Sequence, residues 1–296
     1  MSISVAASRF DLSREVHYVP YMAEISRSSP SCFLFLIDQS GSMRDSFGAE
    51  SGKRKADGVA DAINRLLQNL VIKCAKAEGV RDYYHVGVIG YGHRPGPAFA
   101  GALVGRELVP ISEVASNPAR VDERAKKVDD GAGGLADQIV KFPIWFDPVA
   151  NGGTPMCHAL GRAATILQGW LGQHPDCFPP IVINITDGEA TDGDPSGPAQ
   201  ELTNLASGDG NVLLFNLHLS SQAGSPIEFP DTEDGLPDAY ARLLFHMSSK
   251  LPEYMRGIAQ EEGFKVSENT RGFAFNADIV SVIRFLDIGT RPSNLR

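Results

Sequence analysis

The stretch Cys32-Phe33-Leu34-Phe35-Leu36-Ile37-Asp38-Gln39-Ser40-Gly41-Ser42-Met43 decides the fold: an unbroken apolar run leads into a carboxylate and two spaced hydroxyls. Such a run, rich in aromatic and branched side chains, reads as a strand buried on both faces at the centre of a parallel sheet. Asp38 closes the strand at its carboxyl end, where open α/β sheets bind ligands. Asp38, Ser40 and Ser42 supply hard oxygen donors on a Gly-containing turn, and hard oxygen suits magnesium, manganese or calcium rather than zinc. Asp and Ser at this place also suit a turn that caps the next helix, a role compatible with ligation because a hydroxyl offers two lone pairs.

Working outward, Ala56, Val59, Ala60, Ile63, Leu66, Leu67, Leu70, Val71 and Cys74 recur at three and four and predict a long helix with one apolar stripe. Lys53-Arg54-Lys55, ahead of it, reads as its solvated start. His85 to Gly92 predicts a second strand, and Ala98 to Val104 a third, paired across a Pro-Gly-Pro turn. The region from Gly105 to Ala150 carries weaker signals, with a charged helical piece expected over Ala119 to Val128 and loop over Asp129 to Gly134. Asn151-Gly152-Gly153-Thr154-Pro155 opens a helix running to about Trp170, with Pro155 in the first turn, where its missing donor does no harm. Ile181 to Ile185, followed by Thr186-Asp187-Gly188, repeats the opening device of a buried strand that ends in an acid. Then come a helix near Pro198 to Ser207, a strand over Val212 to Leu219, helices over Asp238 to Ser249 and Pro252 to Glu262, a strand over Gly272 to Phe275 and a helix over Asp278 to Leu286.

Strand and helix alternate from residue 32 to 286, which predicts an α/β, doubly wound, mostly parallel sheet flanked by helices, with one antiparallel edge strand. The expected organisation is an arm over 1–31 packed on one domain over 32–290, insertions near 105–150 and 224–268, and a tail over 291–296. A chain of 296 residues that is 43% hydrophobic can bury such a core. The net charge of -9 argues against nucleic acid or an anionic membrane as a partner, since both select basic surfaces. Cys32, Cys74, Cys157 and Cys177 are widely spaced without a Cys-x-x-Cys, which favours free thiols over disulfides or zinc. The first thirty residues lack a basic start followed by a continuous apolar core, so a cytoplasmic location is expected.

Three separated pieces line up: Asp38-x-Ser40-x-Ser42, Thr154 at a glycine-preceded helix start, and Asp187-Gly188. This resembles the von Willebrand factor A domain family and its metal-ion-dependent adhesion site, whose pattern is Asp-x-Ser-x-Ser, a distant Thr and a distant Asp. The resemblance covers residues 32 to about 286. It implies that Ser40, Ser42 and Thr154 contact a divalent cation through hydroxyls while Asp38 or Asp187, or both, act through water. Mg²⁺ is the first expectation, with Mn²⁺ and Ca²⁺ as alternatives. A cation ligated mainly by neutral oxygens keeps much of its charge, and an open coordination position then favours an Asp or Glu side chain of a partner protein. The resemblance to standalone cytoplasmic members implies an adaptor in a bacterial stress or defence system. Such members stand beside tellurium-resistance proteins or beside kinase and phosphatase pairs, or serve MoxR-type and chelatase-type ATPases.

A non-enzymatic role is expected. Gly48-x-x-x-Gly52-Lys53-Arg54 has the wrong spacing for a phosphate loop, there is no Gly-x-Ser-x-Gly, and Ser40 stands where an aspartyl-nucleophile phosphatase needs a second acid. Two alternatives stay open: a metal-dependent hydrolase using His158 or Glu189, and a structural subunit whose site is vestigial.

Overall fold

A computed structural model describes residues 20–46, 52–129, 135–219 and 225–290. The quoted stretch forms strand β1 (Ser31–Asp38), every residue of which is buried. Its side chains alternate between two cores, as a period of two requires. Phe33, Phe35 and Ile37 join helix α1 (Lys55–Cys74) on one face. Cys32, Leu34 and Leu36 join a core that includes Met156, Leu160 and Leu167 on the other.

β1 pairs in parallel with β2 (Tyr84–Tyr91) on one side. Short antiparallel strands β3 (Gly96–Pro97) and β4 (Val109–Pro110) then finish that edge against β2. A six-residue helix α2 (Ile111–Ser116) leads into a separate hairpin of β5 (Arg120–Asp129) and β6 (Leu135–Ile144). Helix α3 (Met156–Leu171) returns the chain across β1 to β7 (Ile181–Thr186), which pairs in parallel with the other side of β1. After α4 (Ser196–Asn204) comes β8 (Leu213–Leu219), parallel to β7. Beyond β9 (Ile227–Glu228) and helices α5 (Ala239–Met247) and α6 (Glu253–Glu261), β10 (Phe273–Ala277) pairs in parallel with β8 and antiparallel with β9. Helix α7 (Ile279–Thr290) packs back beside α1. The strand order is β9-β10-β8-β7-β1-β2-β3, with β4 also on β2. This is a doubly wound α/β sheet, parallel at its centre and antiparallel only at its edges.

The order reverses between β1 and β7: chain growth runs outward through β2, then starts again on the far side. Such a switch point leaves a crevice at the carboxyl ends of the two strands. Asp38 ends one of them, and Thr186 ends the other with Asp187 next in the chain.

Two local expectations are corrected. The charged segment over 119–128 is a strand, because its partner Leu135–Ile144 carries Val140, Phe142 and Ile144 at alternate positions and pairing overrides helix propensity. Arg124 holds the hairpin to α1 by bonding Asp61 at 2.9 Å while lying 3.8 Å over the Phe142 ring. The strand expected over 98–104 does not form: the edge strand is the two residues Gly96–Pro97 before it, and Gly101–Leu103 coils into a 3-10 turn. Gly101 has a φ of +67° and packs on Ala119 with no room for a β-carbon.

Residues 1–19 of the expected arm and the 291–296 tail lie outside the described residues. The described end of the arm is tied to the loop after α4. Tyr21, Met22 and Ala23 donate backbone N–H groups to Asp209 at 2.9, 3.0 and 2.9 Å.

Candidate functional site

Asp38 is fully buried at the switch point and both of its carboxylate oxygens are bonded. Oδ1 accepts from the Ser40 backbone N–H at 2.8 Å, and Oδ2 accepts from the Thr186 hydroxyl at 2.8 Å. Burial raises the Asp38 pKa to about 6; hydrogen bonds from Ser40 lower it, the charge of Asp187 raises it and the Thr186 bond lowers it. The Ser40 and Ser42 hydroxyls lie 2.9 Å apart. Ser42 donates to Asp187 Oδ1 at 2.7 Å, and Ser40 reaches the same oxygen at 3.5 Å.

Thr154 arrives from a different part of the chain through backbone zippering. Gly41 N–H donates to Gly152 O at 3.0 Å, which fastens the loop after β1 to the segment that enters α3. Thr154 N–H donates to the Thr191 hydroxyl at 3.0 Å, and Thr191 N–H donates back to Thr154 O at 2.9 Å. Gly188 marks the meeting point: a β-carbon there would stand 3.8 Å from Thr154 Oγ1 and 4.0 Å from Ser42 Oγ. All five sequence-selected residues, Asp38, Ser40, Ser42, Thr154 and Asp187, therefore converge on one crevice. Their oxygens form a donor set of two carboxylates and three hydroxyls, chemistry that fits Mg²⁺, Mn²⁺ or Ca²⁺.

Glycine makes this approach possible. Gly152 has a φ of +102°, and a β-carbon on it would stand 2.7 Å from the Gly92 carbonyl carbon and 2.8 Å from the His93 nitrogen. Both the backbone conformation and the contact exclude a side chain. Gly152→Ala is expected to destabilise the protein by about 1–3 kcal/mol and to weaken any metal binding, because Thr154 lies two residues on. Urea denaturation and Mn²⁺ titration of the variant check both.

Lys55 also belongs to this cluster, which its basic neighbours conceal in the sequence. Instead of a solvated helix start it is buried, 4% exposed, and its ammonium donates to Asp187 Oδ2 at 2.9 Å. Lys53 and Arg54 do face outward, on Asp61 at 2.8 Å and Asp57 at 2.7 Å. Lys55 lies four residues before Val59 and eight before Ile63, on the apolar stripe of α1, a spacing that is the signal for burial. Thr186, beside Asp187, is a second addition through its bond to Asp38.

The alternative catalytic candidates, His158 and Glu189, follow Thr154 and Asp187 closely in the chain. His158 Nδ1 lies 2.6 Å from Asp192 Oδ2 and the ring is 75% exposed. Asp192 also accepts from the Cys157 and His158 backbone N–H groups at 3.1 and 2.9 Å, and so caps the start of α3. Glu189 is exposed.

Behind the site a buried polar chain crosses the sheet. The Tyr91 hydroxyl donates to Asn184 Oδ1 at 2.6 Å, Asn184 Nδ2 donates to Asn216 Oδ1 at 2.9 Å, and Asn216 Nδ2 donates to the Ser248 hydroxyl at 3.0 Å. His218, beside Thr186 in the register, stacks on Phe275 at 4.7 Å, and burial lowers its pKa to about 4. It is therefore neutral at physiological pH.

No described protein family and no curated protein matches the sequence. Similar solved structures include proximal thread matrix protein 1 from the mussel byssus, at 14% identity, covering 90% of this chain and 48% of that one, with a TM-score of 0.46. The ArnB paralog VWA2 from Sulfolobus acidocaldarius is 13% identical over 68% of this chain and 37% of its own, with a TM-score of 0.33. The vWF domain of the type V pili tip protein Mfa5 from Porphyromonas gingivalis is 15% identical over 55% of this chain and 39% of its own, with a TM-score of 0.29. This chain spans less than half the length of each of the three. The solved structures similar to it thus include von Willebrand factor A domains.

Proposed function

We propose that the chain is a protein-interaction module that captures an Asp or Glu side chain of a partner through a divalent cation, Mg²⁺ first and Mn²⁺ or Ca²⁺ as substitutes. Asp38, Ser40, Ser42, Thr154 and Asp187 would hold the ion, which when bound supplies a positive centre for an incoming carboxylate. The observation that supports this reading is the convergence of oxygens from three separate segments at the switch point, with Ser42 2.7 Å from Asp187 and Thr154 beside Gly188. The partner would be another protein of the same system, such as an ATPase, kinase or phosphatase, and the setting a bacterial stress or defence response. The module has no catalytic role in this reading: His158 is engaged by Asp192, 2.6 Å away at the start of α3.

The test is Mn²⁺ titration followed by electron paramagnetic resonance, with co-purification of the partner in the presence and absence of EDTA. The wild type is expected to bind Mn²⁺ and to lose its partner in EDTA, and Asp38→Ala or Thr154→Ala to lose both while keeping the far-ultraviolet dichroism of the wild type. Partner capture that survives EDTA and both substitutions overturns the reading. One observation favours a second reading, a structural module whose site takes no metal: the Lys55 ammonium already bonds Asp187 at 2.9 Å. Under that reading no variant binds Mn²⁺ and EDTA changes nothing.

A further inference from the structure

We infer that Lys55 is a resident cation of the metal site, sharing Asp187 with the divalent ion and setting how tightly that ion is held and how much charge it shows to a partner. The inference rests on the metal-dependent reading and deepens it. Lys55 Nζ lies 2.9 Å from Asp187 Oδ2, with side chains only 5% and 0% exposed. The other oxygen of the same carboxylate takes the Ser42 hydroxyl at 2.7 Å. Asp187 therefore faces an ammonium on one side and the proposed metal donors on the other.

The ammonium is held from the other end as well. Lys55 N–H donates to Asp45 O at 2.9 Å, and α1, which it begins, is buried along its length through Val59, Ile63, Leu67 and Leu70. A surface lysine swings its charge into water; this one starts on a fixed helix and ends on a buried carboxylate. Burying an ammonium is unfavourable unless it is paired, so its position must be compensated by the acids of the site.

Asp38 and Asp187 bring two negative charges when ionised and Lys55 one positive, so the set carries one net negative charge rather than two. A divalent ion entering it meets repulsion from the ammonium and binds less tightly than in a set without Lys55. In return, the loaded site keeps a net positive charge, which favours an external carboxylate. Lys55 thereby trades metal affinity for anion capture, and is a specificity-determining residue in that sense.

The experiment compares wild type, Lys55→Met, Lys55→Gln and Lys55→Arg for Mn²⁺ affinity by electron paramagnetic resonance and for melting temperature with and without Mn²⁺. Lys55→Met and Lys55→Gln are expected to bind Mn²⁺ at least about tenfold more tightly than wild type, because a like charge is removed from a partly desolvated site. Their metal-free melting temperatures are expected to fall and to rise more on adding Mn²⁺ than the wild type's, while Lys55→Arg, which keeps the charge, stays within about threefold of wild type in affinity. Lys55→Gln serves if Lys55→Met does not fold. Neutral variants that bind no more tightly than a metal-binding wild type overturn the inference and leave the metal-dependent reading in place. If neither wild type nor any variant binds Mn²⁺, the metal-dependent reading falls and this inference with it.

Discussion

Asp38→Asn is expected to make the metal-free protein more stable, by on the order of 2–3 kcal/mol at neutral pH, while abolishing divalent-ion binding. The carboxyl is fully buried, and its pKa stands at about 6 where an unfolded chain has 3.8. Between about pH 4 and about pH 6 the folded chain keeps a proton that the unfolded chain has released. Stability therefore falls as pH rises through that window, and the whole penalty is present above it. An Asn removes the charge and keeps the bonds: its carbonyl still accepts from Ser40 N–H, and its amide can donate to the Thr186 hydroxyl, which also reaches Gly188 O at 3.1 Å. Urea denaturation in EDTA from about pH 4 to about pH 8 checks this. The wild type should lose stability across the window and the variant should not. A variant no more stable than wild type at neutral pH would mean that the Lys55 ammonium already offsets the buried charge.

Asn64→Ala is expected to destabilise the protein by about 3–5 kcal/mol, although Asn64 touches nothing in the candidate site. Asn64 is 1% exposed on α1, and its amide fastens the strand end after β6. Oδ1 accepts from Trp145 N–H at 2.8 Å and Phe146 N–H at 3.0 Å, while Nδ2 donates to Phe146 O at 2.8 Å and to Ala60 O at 2.9 Å. Truncation strands three backbone groups of a non-helical segment in the core, and each such orphan costs roughly 1–3 kcal/mol. The same segment runs on to Gly152 and Thr154, so Mn²⁺ affinity should weaken as well. The midpoint and slope of urea denaturation measure the first effect and metal titration the second. A loss below about 1 kcal/mol would mean that water fills the vacated place.

Much of the scaffold was legible because its signals are local. The run from Cys32 to Ile37 has no polar residue before Asp38, so a strand buried on both faces is the reading that the residues permit. The α1 stripe likewise predicts a helix observed over Lys55–Cys74. The hairpin of β5 and β6 was not legible. Arg120 to Asp129 places Val121, Ala125 and Val128 at helical spacing among charged residues, and only pairing with Leu135–Ile144 makes it a strand.

By itself, the sequence determined that this protein is built on a buried central strand ending in an acid, with a hydroxyl-rich turn behind it and a second acid after another strand. Those properties are written in runs of neighbouring residues, where side-chain period and turn chemistry act at short range. Only the tertiary structure decided what surrounds Asp187. That Lys55 turns inward to bond it, that Thr154 closes on the same point through Gly41 and Gly152, and that Asn64 pins the approach depend on contacts between segments up to 132 residues apart. A lysine next to two other basic residues reads as solvated until the packing of α1 against the sheet leaves its ammonium no water to reach, and a buried carboxylate within 2.9 Å.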